Sequence, residues 1–411
     1  MRTLGCAKFM RSLTVRSKKP QTVCLIYLTR YTQASWVYPR RPLMPDLQKF
    51  KKIALLLEGH DHDDHWKTAI GLLRYGPYKV VAGIDSDHAG RTLDDLIGFG
   101  GCIPIFATIQ DALNRVGRFD ALFVAVSHPG GQLVPEMRPP IREALMAHVS
   151  VVSGLHTILS QDPELIALAT KWKTPIVDVR TLGEYGNPPR HVEHRIGTRT
   201  IAVVGSDCAV GKMTTTFALH IEATRRGIRS GVAATGQTGI MIAGHGVPVD
   251  HTVADFTIGL VAEYVASLTQ AHDLVVVEGQ GGITHGNIAL GIIQGANPDA
   301  FILCHDVSRT YIKGYPMWNV PSLKRLRQIY EEIGTWVRET NPAHVIGVSL
   351  NTSSLTEKEA TKLIKKTEDD LGLPVTDPTR MGVSALVDKI AFVRPYVGGD
   401  TDRDSERLTN C

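Results

Sequence analysis

The stretch TIAVVGSDCAVGKMTTTFALH, Thr200 to His220, decides the fold. A short apolar run ends at Gly205, a turn of small residues follows, and a helical pattern opens at Lys212. A strand feeding a tight turn and then a helix aims several backbone N–H groups at one point. The helix N-terminus adds about half a positive charge there. Lys212 completes an anion cradle suited to a pyrophosphate. The usual phosphate-binding loop has four residues between its glycines and a Ser or Thr after the lysine. Here Gly205 and Gly211 enclose five, and Met213 stands where the magnesium-binding hydroxyl belongs. That duty passes to Thr214 or Thr215, or goes unfilled.

Outward from the loop, short apolar strands alternate with helical stretches from about residue 53 onward, which marks parallel α/β units. In the second unit SGVAAT, DLVVVEG, AFILC and HVIGVSL read as strands, with helices at 212–227, 253–270, 321–338 and 355–370. In the first, KIALLL, YKVVAGID, IPIF, ALFVAV, VSVVS and PIVDV read as strands. Helices fall near Trp66–Tyr75, Thr108–Val116, Arg138–His148 and Pro163–Trp172. No GxGxxG follows the first strand, and Asp85, which ends the second, reads as a turn cap rather than a ribose ligand. The segment Arg180 to Thr200, rich in Gly, Pro, Arg and His, reads as a linker. The expected fold is α/β, with mostly parallel sheets in both parts. An N-terminal Rossmann-like domain over 46–179 precedes a C-terminal P-loop NTPase-like domain over 201–395, with 180–200 as linker and 396–411 as a disordered tail.

Composition narrows the function. The chain has 411 residues with a net charge of +4, but the first 45 hold nine basic residues and no acid. The remainder carries 36 basic and 41 acidic residues, so nucleic-acid binding has no support. The leader resembles a transit peptide in composition. The simpler expectation is an over-long start with Met44 as the true beginning. No apolar run is long enough to span a membrane, so a cytoplasmic protein is expected, with a small-molecule substrate and homo-oligomeric assembly. Six cysteines without CxxC spacing argue against a disulfide framework and a zinc site. The cluster GHDHDDH, Gly59 to His65, has several possible ligands but no distant partner motif, and it reads as an exposed polar loop. No metal site is expected.

A second motif, VVVEGQGG, Val275 to Gly282, places Glu278 at the end of a doubly buried strand, where ligands sit in open α/β sheets. The segment Gln237 to Phe256 is too long and Gly-rich for a plain connection, and it reads as a substrate-binding or lid segment.

GSDCAVGKMT and VVVEGQGG resemble the GTDTxVGKT loop and VEGAGG motif of dethiobiotin synthetases, including the five-residue spacing. That resemblance implies Mg²⁺ beside ATP, held by Asp207 and Glu278. Met213, and the absence of that family's lysine after SGVAATGQTG, depart from it. A longer match runs from Ile53 to about Val393. TAIGLLRYGPYKVVAGIDSDHAG, VVSGLHTIL, GSDCAVGKMTT, TGQTGIMIAG and VEGQGGITH resemble a two-domain P-loop family that includes the DgcN-type D-glutamate N-acetyltransferases. The resemblance implies acetyl transfer from acetyl-CoA to the amino group of D-glutamate or a related D-amino acid. An ATP- and Mg-dependent ligase or kinase-like enzyme of the dethiobiotin synthetase type is the alternative.

Residues fit the first activity as follows. Gly205, Ser206, Gly211, Lys212, Met213, Thr214 and Thr215 form the cofactor-binding loop, whose cradle can hold the phosphates of acetyl-CoA without a metal. A base must take the amine proton, and the candidates are Asp207, Asp255, Glu278 and His285. N–H groups of EGQGG are suited to the oxyanion. Gln237, Thr238, Arg309 and Lys313 are the expected substrate-binding residues, the last two as cations for a dicarboxylate.

Overall fold

The apolar runs form two six-stranded sheets in a computed structural model that describes residues 46–59, 66–126, 129–181, 192–284, 287–338 and 340–397. The first sheet holds β1 (Lys52–Leu56), β2 (Lys79–Ile84), β3 (Ile105–Phe106), β4 (Ala121–Val124), β5 (Ser150–Ser153) and β6 (Ile176–Asp178). Their order is β3-β2-β1-β4-β5-β6, and every pairing is parallel. The second holds β7 (Arg199–Gly205), β8 (Ser230–Ala233), β9 (Leu274–Glu278), β10 (Ala300–Asp306), β13 (His344–Asn351) and β14 (Val375–Thr376), in the order β14-β13-β10-β7-β9-β8. It too is parallel throughout. Parallel strands need helical crossovers that cover both faces, which is why β4 and β9 are continuous buried apolar runs rather than alternating ones. The α/β expectation holds, and the expected strands of both units are all present.

The loop strand β7 lies between β9 and β10, so Glu278 at the end of β9 sits beside it, with Val203 opposite Glu278 in register. The helix after the loop, Lys212–Arg225, also faces the first sheet's unit. Tyr75 stacks on Phe217 at 5.9 Å, and the Met213 methyl crowds Gly71 of the helix Lys67–Tyr75. A Cβ on Gly71 would meet Ile242, Met213 and Thr238 at 3.1 to 3.2 Å, so close helix packing requires glycine there. One apolar core therefore runs from Leu55 and Phe123 through to Met213, Phe217 and Met241.

Local structure adds detail. The segment Gln237 to Phe256, expected to bind substrate or act as a lid, opens with a helix, Gln237–Ala243, ended by Gly244 in the left-handed region. Its Ile240, Met241 and Ile242 are buried, and packing overrides the loop-like glycines. The segment after β10 is an antiparallel hairpin, β11 (Tyr311–Ile312) and β12 (Tyr315–Asn319), with Tyr315 stacked on Trp318 at 4.6 Å. Tyr396, placed in the tail from sequence, is buried and bonded through its backbone to Gly197 and Thr198. The leader and residues 60–65 of the His/Asp cluster lie outside the described residues. Among the described residues, Cys102, Cys208 and Cys304 are free thiols, and no helix is long and apolar enough to cross a membrane.

Candidate functional site

The loop is shaped by its backbone. Gly211 has φ +103°, a conformation open to glycine, and Ala209 takes the left-handed φ +56°, which costs a non-glycine residue about 1–2 kcal/mol. Such strain persists only where the surroundings fix it, and here Tyr330 donates to the Gly205 carbonyl at 2.7 Å from below. Lys212 is buried and its Nζ donates to the Asp207 carbonyl at 2.7 Å, folding back across its own loop. Burial lowers its pKa to about 8. An ammonium held out of water in this way gains most from an incoming anion.

The hydroxyls of the loop are committed elsewhere. Ser206 Oγ lies 2.8 Å from His305 Nδ1. Thr215 Oγ1 donates to the Gly211 carbonyl at 3.0 Å and pairs with Ser349 Oγ at 2.8 Å, and its side chain is fully buried. The Thr214 side chain lies near the Tyr75 hydroxyl, on the first unit's helix. Met213 fills the interface at Gly71. Of the expected cofactor-binding residues, Gly205, Gly211 and Lys212 form the cradle, while Ser206, Met213, Thr214 and Thr215 hold it from outside. A transfer of the magnesium duty to Thr214 or Thr215 finds no support in these contacts.

Two buried carboxylates flank the cradle and differ in their partners. Asp207 is fully buried. It accepts from Cys208 N at 2.7 Å, from Lys313 N at 2.8 Å and from Arg309 Nη1 at 3.3 Å. It ties the hairpin segment to the loop. Glu278 accepts from the backbone N–H groups of Thr235, at 3.2 Å, and of Gly236. Burial pushes its carboxyl up to about 7, against the pull of the Lys67 and Lys212 charges. A group poised there is matched to general-base work at neutral pH.

The glycines of the second motif serve close approach. A Cβ on Gly279 would lie 2.2 Å from the Val203 carbonyl oxygen, and one on Gly282 would lie 3.0 Å from the Asp207 nitrogen. A Cβ on Gly239 would lie 2.1 Å from Glu278 Oε2, so the helix Gln237–Ala243 seats directly on the candidate base.

Lys67 is the residue that sequence reasoning missed. It opens the helix Lys67–Tyr75 of the first unit, and its charge is felt by Lys212, Cys208 and Glu278 at once. Lys313 also acts on Cys208. Cations from three segments thus gather at the loop. No local pattern around Lys67 announces this, because the placement comes from packing between the two units.

The remaining expected residues sit as follows. Thr238 is buried and shares a 2.9 Å hydrogen bond with Thr68, which spends it on the interface, whereas Gln237 lines a cavity of the first sheet. Asp255 is an exposed first-turn residue of the helix Ala254–Thr269, with no hydrogen bond to the cradle among the described residues. His285 lies outside the described residues. Asp85 accepts from the backbone of Asp87 and His88, as a turn cap does.

Comparison with known proteins places this architecture. The P-loop domain described as a domain of unknown function, DUF1611_C, matches residues 190–387, and its Rossmann-like partner, DUF1611_N, matches residues 86–182. A relative from Tritonibacter scottomollicae, named D-glutamate N-acetyltransferase, is 35% identical over 330 residues, spanning 80% of this chain and 94% of that protein. The chain belongs to the DUF1611 family. A second relative with the same name, from Pseudoalteromonas sp, is 32% identical over 294 residues, covering 68% of this chain and 86% of that protein. The crystal structure of a DUF1611 family protein from Anabaena variabilis superposes with a TM-score of 0.73 at 32% identity, covering 83% of this chain and 99% of that one.

Proposed function

We propose that the protein transfers an acetyl group from acetyl-CoA to the amino group of D-glutamate or a related D-amino acid. The observation that carries this reading is the closed magnesium position. Met213 is packed against Gly71, the Thr214 side chain lies near Tyr75, and the Thr215 hydroxyl is spent on the Gly211 carbonyl and Ser349. Anion binding is left to N–H groups, Lys212 and the neighbouring cations, which suits phosphates that are held but not transferred. The names of the two DUF1611 relatives point the same way.

In this reading Lys212 releases its contact with the Asp207 carbonyl and meets the pyrophosphate, with Lys67 and Lys313 beside it. Glu278, ionised above about pH 7, takes a proton as the amine attacks the thioester carbonyl. N–H groups of Gly279–Gly282 are suited to the oxyanion. Collapse breaks the C–S bond, and the thiolate leaves and is protonated.

The test is to incubate the protein with D-glutamate and either acetyl-CoA or Mg-ATP, following free thiol against ADP. Thiol release that requires the amino acid supports acetyl transfer. Release of ADP that depends on the acceptor, with no thiol formed, would establish the ligase alternative.

A further inference from the structure

A cavity of about 130 Å³ opens at the carboxyl edge of the first sheet, apart from the cradle. Its walls come from the residues just past β4, β5 and β6, namely Val126, Gly154, His156 and Arg180. The helix Gln237–Ala243 of the other unit closes it with Gln237 and Met241. Ligands of open α/β sheets sit at this edge. The cavity is far smaller than a coenzyme needs, and it fits a metabolite fragment of a few heavy atoms.

Among the described residues Arg180 is the one permanently charged group in the lining, and its side chain is only 5% exposed. Its Nε donates to the Gly154 carbonyl at 2.7 Å, and its Nη1 is paired with Asp250. Among the described residues its third nitrogen, Nη2, has no hydrogen-bond partner. Two anchors therefore fix the guanidinium plane and leave one edge unused. A buried charge with an unused donor edge is costly unless a ligand completes it. His156 lines the same cavity, and burial, then the Arg180 charge, holds its imidazole below the ordinary histidine range, so it adds a hydrogen bond without a charge. Val126 and Met241 supply apolar wall.

We propose that this cavity binds the side-chain carboxylate of an acidic amino-acid acceptor, with Arg180 as its counter-ion and the methylenes lying along Val126 and Met241. The assignment to an acceptor rests on the acetyl-transfer reading; the carboxylate site itself does not. The helix that carries Gln237 into the cavity also seats Gly239 on Glu278. One rigid element thereby links the carboxylate pocket to the base that receives the amine proton.

Calorimetry with glutarate, and steady-state kinetics with D-glutamate and D-glutamine, test this on the full chain. Glutarate is expected to bind the native protein, and Arg180→Ala to weaken it by about tenfold or more, with Arg180→Lys intermediate. The same change is expected to raise the KM for D-glutamate about tenfold and erase its preference over D-glutamine, while the KM for acetyl-CoA stays within about twofold. Where Arg180→Ala does not fold, Gly154→Ala serves instead, because its Cβ would lie 2.8 Å from Gln237 Cγ and narrow the cavity while the Arg180 side chain is kept. Unchanged glutarate affinity in a folded Arg180 or Gly154 variant overturns the proposal. Glutarate binding that depends on Arg180 in a protein that releases no thiol keeps the pocket and removes the acetyl-transfer reading.

Discussion

At the carboxyl edge of the second sheet, charge is offered to a ligand by backbone N–H groups and by cations drawn from several segments around Gly205 to Lys212. At the same edge of the first sheet it is offered by a single guanidinium, Arg180, held in plane by Gly154 and Asp250. The first arrangement draws on several segments, as suits a string of phosphates. The second is narrow and directional, as suits one carboxylate. Among the described residues Glu278 accepts hydrogen bonds from main-chain groups, in contrast to Asp207, which is also bound to Arg309. The difference teaches that two equally buried acids beside one loop divide the work by partners. The paired one ties structure together, and the unpaired one is free to move a proton.

The comparison breaks most severely at the helix shared by both regions. Gly239→Ala places a carbon 2.1 Å from Glu278 Oε2, a clash with a buried carboxyl. Activity is expected to fall below detection, with a loss of about 1–3 kcal/mol in denaturant unfolding. Glu278→Gln comes next, with kcat lowered about 10²- to 10³-fold. The pH dependence carries a sign of its own. The native carboxyl is raised from 4.5 to about 7, so the stability it lends is full below 4.5 and is lost as pH rises through about 7. The glutamine variant is therefore expected to unfold at higher temperature than the native protein at pH 8 and to lose that advantage at pH 5. Native kcat should rise through about pH 7 as the base ionises.

Lys212→Ala is expected to raise the KM for acetyl-CoA about tenfold or more and leave acceptor binding intact. An unchanged acetyl-CoA KM would separate the phosphates from the cradle. Met213→Thr has the smallest expected effect on turnover. It opens a gap at Gly71 and costs about 1–3 kcal/mol of stability, without creating ADP release from Mg-ATP, because the new hydroxyl would face the interface.

Much of this was legible in the sequence. The strand–loop–helix at Thr200 to His220 and the buried run ending at Glu278 are local signals, and both sheets follow from their alternation with helices. The missing parts are those set by packing between units. Nothing beside Lys67 marks it as a neighbour of Glu278, and Arg180 reads as the first residue of a linker until Asp250 and Gly154 are seen to grip it. Asp207 reads as a candidate base in the loop motif, yet the hairpin that folds over it supplies donors from Arg309 and Lys313 that no spacing rule anticipates. Ile240, Met241 and Ile242 are buried against the first unit, which turns a glycine-rich stretch into a helix.

The most direct measurement is thiol release from acetyl-CoA in the presence of D-glutamate, with Mg²⁺ and then with EDTA in its place. Equal, acceptor-dependent rates are expected in both, since the position that would carry the metal-binding hydroxyl is filled by Met213 against Gly71. Turnover that vanishes with EDTA, or that yields ADP from ATP instead of thiol, would contradict a cradle that holds phosphates without a metal.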